Sequence, residues 1–93
     1  MAVYLLTYDL AGEDGSGDYD LLWGELRRLG AHRMLESAWL LDFDADPQAL
    51  LSSIKKLLNE EDRLFVTALR KGEFTYTKAR SGTNDWLDGS RLD

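Results

Sequence analysis

An apolar run near the N-terminus, Ala2-Val-Tyr-Leu-Leu-Thr-Tyr-Asp9, constrains the fold of this chain more than any other segment. Both of its alternating sets of side chains are largely apolar, which is typical of a strand covered on both faces of a sheet. We therefore predict a central strand here, with Asp9 at the edge of the core. No basic residue precedes the run, and Thr7 and Asp9 interrupt it, so we expect a strand of the fold rather than a secretory signal.

Two later stretches have the periodicity of amphipathic helices. Asp18 is suited to capping the first helix, and Gly30 is suited to ending it. Asp46 and Pro47 form a strong start signal for the second, because proline at the first helical position loses no hydrogen bond; we expect this helix to end at Asn59. The apolar faces consist of Tyr19, Leu22, Trp23, Leu26 and Leu29 in the first helix and of Leu50, Leu51, Ile54, Leu57 and Leu58 in the second.

The remaining apolar segments have the composition of β-strands. The segment after the first helix is long for one strand, so we predict two short strands, 32–36 and 38–43, with a break near Ser37; one bent strand is the alternative. Residues 64–69 predict another buried strand, and residues 74–78 predict a final edge strand. The predicted order is βαββαβ followed by one extra strand.

This order predicts an α+β fold of the ferredoxin-like class, in which two helices pack on one face of an antiparallel sheet. The chain has 93 residues, of which 44% are hydrophobic, which suits a single compact core. We predict one domain over residues 1–80 and a polar tail over residues 81–93. We expect the tail to be mobile unless Trp86 docks on a partner or on the sheet.

The charge distribution bears on nucleic-acid binding. A formal net charge of −6 argues against a general polyanion binder, because phosphate contacts need clustered lysine and arginine. Basic residues nevertheless concentrate in two places, and they would bind nucleic acid if the fold joined them into one stripe; solvated surface charge is the alternative. The candidate residues are Arg27, Arg28, Arg33, Arg70 and Lys71.

Few residues are suited to catalysis or to metal binding. The chain has no cysteine and one histidine, His32, which excludes a thiolate zinc site and leaves little basis for a histidine-dependent triad. Asp9 remains as a candidate ligand for a hard divalent cation, and turn initiation is the alternative explanation for it. The acidic residues that follow Asp9 and would add oxygen ligands are Glu13, Asp14, Asp18 and Asp20. The absence of cysteine fits a cytoplasmic protein, and no apolar run is long enough to span a membrane.

Three short motifs together resemble a known family. They are Tyr4-Leu-Leu-Thr-Tyr-Asp9, then Leu29-Gly-Ala-His-Arg33, then Leu35-Glu-Ser-Ala-Trp-Leu-Leu41. In these motifs the chain resembles the small CRISPR-associated Cas-two superfamily, and more closely its stand-alone SinR-like relatives. The resemblance covers about residues 2–80. In it, Leu64-Phe-Val-Thr-Ala-Leu69 corresponds to the next core strand of the family.

The resemblance implies a ferredoxin-like homodimer in which the C-terminal strands are exchanged or paired between the two copies. It also implies that two copies of Asp9 face each other across the dimer cleft and hold a Mg²⁺ ion for phosphodiester hydrolysis. By the same resemblance, Asp9 and Ser37 are the catalytic candidates, with Ser37 and Arg33 near the phosphate.

Three functions stay open at this point. The first is a Cas-two-like, metal-dependent endonuclease that acts on RNA or DNA. The second is a non-catalytic dimeric module that binds nucleic acid or a protein partner, in a defence or toxin–antitoxin setting. The third is a ferredoxin-like regulator that senses a small ligand, which the net acidity favours. The fold alone does not choose among them, because this architecture hosts many functions.

Overall fold

The structure is a computed structural model, and it describes residues 2–12 and 19–92. This part of the chain forms a small α+β domain with four strands and three helices. In chain order the elements are β1 (Ala2–Asp9), α1 (Asp20–Arg28), β2 (His32–Leu35), β3 (Ala38–Phe43), α2 (Pro47–Lys55), β4 (Arg63–Leu69) and α3 (Thr83–Asp88).

The four strands form one antiparallel sheet in the order β2-β3-β1-β4. The predicted position of β1 is confirmed, because β1 lies between β3 and β4 and pairs with both. This strand order and the βαββαβ succession are compatible with a ferredoxin-like fold.

The helix boundaries follow from local signals in the sequence. The side chain of Asp46 accepts a hydrogen bond from the backbone amide of Ala49 at 2.8 Å, and α2 begins at Pro47, as predicted. This helix ends at Lys55 rather than at Asn59. At the end of α1, Gly30 has a φ of +77°, a conformation that glycine adopts without the steric cost of a Cβ atom. The predicted N-cap of α1, Asp18, lies outside the described residues.

The segment after α1 forms two strands, so the predicted break is confirmed. β2 and β3 are joined by a tight turn at Glu36 and Ser37, and their register shifts between Arg33 and Leu35. β2 is four residues long and ends where the turn begins.

The core lies on both faces of the sheet. Alternate side chains of a strand point to opposite faces, and α1 and α2 cover the face that carries Leu6 and Trp39, which are paired in the β1–β3 register. The buried residues of this first cluster are Tyr4, Leu6, Tyr8, Leu10, Tyr19, Leu22, Leu26, Trp39, Leu41, Leu50 and Ile54. The second cluster is smaller and comprises Met34, Ala38 and Leu40, with Leu5, Leu69, Tyr76, Ala79, Trp86 and Leu87 packed against them.

The predicted extra edge strand is not part of the sheet. Residues 74–78 form no strand in the described chain, and two backbone conformations account for this. Gly72 has a φ of +82° and Lys78 a φ of +57°, so the backbone leaves the extended region just before the segment and again at its last residue. The segment therefore turns back over the sheet, where Tyr76 packs against the second cluster.

Residues 81–92 contain the helix α3. We expected a polar tail here that would be mobile unless Trp86 docked on a partner or on the sheet. Trp86 of α3 docks on the sheet of the same chain, and its indole Nε1 donates a hydrogen bond to the carbonyl oxygen of Gly30 at 2.9 Å. The C-terminal segment, residues 74–92, thereby covers the second cluster.

Candidate functional site

Asp9 is the last residue of β1, and it lies on the sheet face that α1 and α2 do not cover. The register pairs Asp9 with Arg63, the first residue of β4. An oxygen of the Asp9 carboxylate lies 3.9 Å from Nη1 of Arg63, and the two side chains are 76% and 84% exposed. An ion pair at this distance and exposure stabilises the fold very little, so both groups are available to a ligand.

A shallow groove begins at this pair. It has a volume of about 250 Å³ and is lined by Thr7, Tyr8, Asp9, Arg63, Leu64 and Phe65. The ring of Phe65 is 60% exposed on the same face as Asp9, because the register pairs Phe65 with Thr7. The C-terminal segment does not reach this end of the sheet, so a carboxylate, a guanidinium and an aromatic ring lie side by side in the open.

Ser37 lies beside the same end of β1, and its backbone makes the contacts. Its carbonyl oxygen accepts hydrogen bonds from the backbone amide of Tyr8 at 3.2 Å and from the Thr7 hydroxyl at 2.9 Å. These bonds fix the β2–β3 turn against the strand that carries Asp9. The structure thus brings Ser37 and Asp9 to one end of the sheet.

Arg33 is placed on the opposite face of the sheet from Asp9. It pairs in register with Trp39, and its guanidinium carbon lies 5.6 Å and 5.7 Å from the ring centroids of Trp23 and Trp39. Its Nε donates to the carbonyl oxygen of Glu36 at 2.8 Å, and Nη2 donates to the same oxygen. Within one chain, therefore, Arg33 and Asp9 do not converge on one phosphate.

The other predicted basic residues are also dispersed. Arg27 and Arg28 end α1, whereas Arg70 and Lys71 follow β4, which is the edge strand on the other side of the sheet from β2. Arg28 is engaged by Glu25 at 2.6 Å; the bond from the Arg28 guanidinium lowers the pKa of Glu25, and the bond to Glu25 raises the pKa of Arg28. One chain does not join these residues into a single stripe.

Asp62, which no sequence pattern singled out, organises the loop next to the site. One of its carboxylate oxygens accepts from the backbone amide of Ala11 and from the Tyr19 hydroxyl, each at 2.9 Å, and the other accepts from the amide of Asn59 at 2.8 Å. Burial raises the pKa of Asp62, but these three hydrogen bonds together lower it further, so the net shift is downward. Its place directly before β4, opposite the end of β1, is the only sequence signal that would have found it.

A buried polar network lies at the same end of β1, on the sheet face that the helices cover. The Tyr8 hydroxyl accepts hydrogen bonds from the indole Nε1 of Trp39 at 3.0 Å and from that of Trp23 at 3.1 Å. Two of the three tryptophans are thereby oriented by one oxygen, beneath the guanidinium of Arg33. We predicted Tyr8 and Trp39 as strand residues and Trp23 as part of an apolar helix face, and we predicted no hydrogen bond among them.

The described residues of one chain do not supply a complete metal site. They contain no group of three or more histidine, aspartate or glutamate side chains that could hold an ion, and Glu13, Asp14 and Asp18 lie outside them. Asp9 offers one carboxylate, whereas Mg²⁺ takes six oxygen ligands, of which one or two are usually protein carboxylates and several are waters. Asp9 fits such a site only if a second carboxylate comes from another copy of the chain.

No helix in the described part of the chain is long and apolar enough to cross a membrane. No protein-family model matches the sequence, and no solved structure matches it either. The resemblance to the Cas-two superfamily therefore stays a prediction.

Proposed function

We propose that this protein is a homodimeric, metal-dependent endonuclease of the Cas-two-like type, which hydrolyses phosphodiester bonds between paired copies of Asp9. The observation that carries the proposal is the exposed Asp9 carboxylate beside Arg63 at the open end of the sheet. A cation ligand and a phosphate-binding guanidinium lie there within 3.9 Å of each other.

A second copy of the chain is the partner that completes this site. In a dimer with two-fold symmetry, residues near the axis meet their own copies, so Asp9 would meet Asp9. Two features favour contact at this end. The exposed Phe65 ring gains by burial, and β4 pairs only with β1 in the described sheet, which leaves its outer edge open to another chain.

The chemistry follows from the residues present. Bound Mg²⁺ supplies a Lewis acid that polarises the phosphoryl oxygen and lowers the pKa of a coordinated water. The role of Asp9 is to hold the ion with its counterpart. The Arg63 guanidinium binds a phosphate oxygen and stabilises the negative charge that develops during hydrolysis. The Ser37 carbonyl keeps the end of β1 in place through its bonds to Thr7 and Tyr8.

The test is Mg²⁺-dependent cleavage of single- and double-stranded RNA and DNA by wild type, Asp9→Asn and Asp88→Asn. Asp88 is exposed in α3 and has no part in the site, so its variant matches the change in charge. We expect cleavage by wild type and Asp88→Asn, none by Asp9→Asn, and dimers by light scattering in all three. Cleavage by Asp9→Asn that equals wild type would refute the proposal.

A second candidate is a non-catalytic nucleic-acid-binding dimer. The observation in its favour is that Arg63 lies across from Asp9, since a neighbouring guanidinium competes with a metal ion for the same carboxylate. This function predicts binding that weakens as salt rises, and no cleavage with Mg²⁺ or Mn²⁺. In that case Asp9→Asn binds nucleic acid at least as tightly as wild type.

A further inference from the structure

A second depression, at the β2 edge of the sheet, concentrates positive charge. Its volume is about 610 Å³, and it is lined by Arg27, Ala31, His32, Arg33, Trp39, Arg80 and Ser81. Three arginines contribute to this lining, and no acidic residue in the described part of the chain does. Such a cluster is notable in a chain whose net charge is −6.

The three arginines differ in how they are held. Arg33 is fixed by the two indole rings and by the Glu36 carbonyl, and these contacts leave its Nη1 without a hydrogen bond among the described residues. Arg27 and Arg80 are exposed, and neither side chain makes a hydrogen bond or ion pair with a described residue. One preorganised guanidinium is thus flanked by two adaptable ones.

The fold holds the backbone of Arg80 in place through buried polar contacts. Its amide donates to the carbonyl oxygen of Met34 at 2.8 Å, and its own carbonyl accepts from the Thr83 hydroxyl at 2.7 Å. Because that bond uses the single hydroxyl proton of Thr83, the 2.8 Å contact with His32 is one in which Nε2–H of His32 donates. Thr83 is only 3% exposed, so this network ties Arg80 firmly to β2.

Like charges that face one depression repel each other. A bound anion removes the repulsion. Guanidinium groups bind phosphate through paired, charge-assisted hydrogen bonds. The chemistry of the depression therefore matches a phosphate group.

We propose that this depression binds a phosphomonoester, either on a free nucleotide or at the end of a nucleic-acid strand. A monoester fits better than a diester because it carries up to two negative charges and three terminal oxygens, which suits three guanidinium groups. The Trp39 ring is only 2% exposed, so it offers a base no face for stacking. The site therefore recognises the phosphate and shows little preference among bases.

The inference is independent of the proposed nuclease. Arg33 lies on the opposite face of the sheet from Asp9, and none of the residues that line the depression belongs to the Asp9 groove. Asp9→Asn should therefore bind phosphomonoesters as wild type does, whether or not the protein cleaves nucleic acid.

The test is calorimetric titration of the full chain with AMP, with a short oligonucleotide carrying a 5′-phosphate, and with the same oligonucleotide ending in a 5′-hydroxyl. The variants are Arg27→Gln and Arg80→Gln, with Lys56→Gln as the control for charge. Lys56 is exposed after α2 and far from the depression in the chain's topology. Circular dichroism checks that each variant is folded.

We expect wild type and Lys56→Gln to bind the phosphorylated ligands, and each arginine variant to bind them about tenfold more weakly, the loss of one charge-assisted bond. Tight binding of AMP identifies a free nucleotide as the ligand, and binding of only the phosphorylated strand identifies a strand end. Equal binding of the 5′-hydroxyl strand, no binding of either phosphorylated ligand, or an equal loss in Lys56→Gln would overturn the proposal.

Discussion

Replacing Tyr8 by phenylalanine removes a single oxygen atom from the core and leaves the ring in place. That oxygen accepts the indole hydrogens of Trp39 and Trp23 at 3.0 Å and 3.1 Å. Trp39 is 2% exposed, so water does not reach its Nε1 after the change. Trp23 is half-buried and regains a partner from solvent.

The cost follows from these exposures. A buried donor left without a partner costs about 1–3 kcal/mol, and we expect a smaller contribution from Trp23, so Tyr8→Phe should lower the free energy of unfolding by about 2–3 kcal/mol. In a domain of this size each kcal/mol shifts Tm by roughly 4–8 °C. The expected fall in Tm is therefore roughly 10–20 °C.

Tyr4→Phe provides the matched control. Tyr4 is as buried as Tyr8, but its hydroxyl accepts no hydrogen bond from a described residue. It donates one, to the carbonyl oxygen of the exposed Ala45 at 2.5 Å. Water replaces that donor, so we expect a loss below about 1 kcal/mol. Urea titrations followed by tryptophan fluorescence measure both variants. If Tyr8→Phe is no less stable than Tyr4→Phe, the shared acceptor does not contribute to the core as argued.

Three further changes probe other parts of the fold. The lowered pKa of Asp62 means that its carboxylate stabilises the fold above the unfolded pKa of about 3.9, and that this stability is lost as pH falls from there through the folded pKa. Asp62→Asn should therefore make the free energy of unfolding depend less on pH in this acidic range, and an unchanged dependence would contradict this. Trp86→Ala should cost about 2–3 kcal/mol, less than a fully buried tryptophan, and should speed hydrogen exchange in residues 74–92; unchanged exchange there would show that the ring does not hold the segment. Asp46→Ala removes the bond to the Ala49 amide and should cost about 1 kcal/mol in thermal unfolding, so a neutral result would mean that Asp46 is not an effective cap.

Local rules predicted most of the elements. The alternation in β1, the helical spacing of apolar residues, the cap at Asp46 and the positive φ of Gly30 depend on neighbours within a few positions along the chain. Such signals are decided by steric and hydrogen-bonding preferences that the sequence carries directly. The same signals led to the succession βαββαβ, and through it to the class of fold.

The predicted strand over residues 74–78 was wrong for a physical reason that lies outside the segment. Its composition suits a strand, but the second face of the sheet carries apolar side chains such as Leu40 and Met34 that need cover. Tyr76 and Trp86 pack on that face and bury apolar surface there. Tertiary context of this kind overrides local β-propensity.

The candidate site was likewise predicted from the sequence only in part. The sequence placed Asp9 at the end of a strand, but only the register of β1 with β4 brings Arg63 to it, and no local signal fixes that register. Likewise, Arg33 and Arg80 are separated by 46 intervening positions in the sequence and line one depression only because the C-terminal segment returns to β2.

As far as β4, the sequence by itself determined where the chain is extended and where it is helical, and it identified Asp9 as the carboxylate that ends the central strand. It did not determine the conformation of residues 74–92. The tertiary structure alone decided which face of the sheet each charged side chain occupies. It separated Arg33 from Asp9 and joined Arg33 to Arg27 and Arg80. The reason is that side-chain direction in a sheet depends on pairing between distant strands, and that pairing is fixed by burial of the whole core.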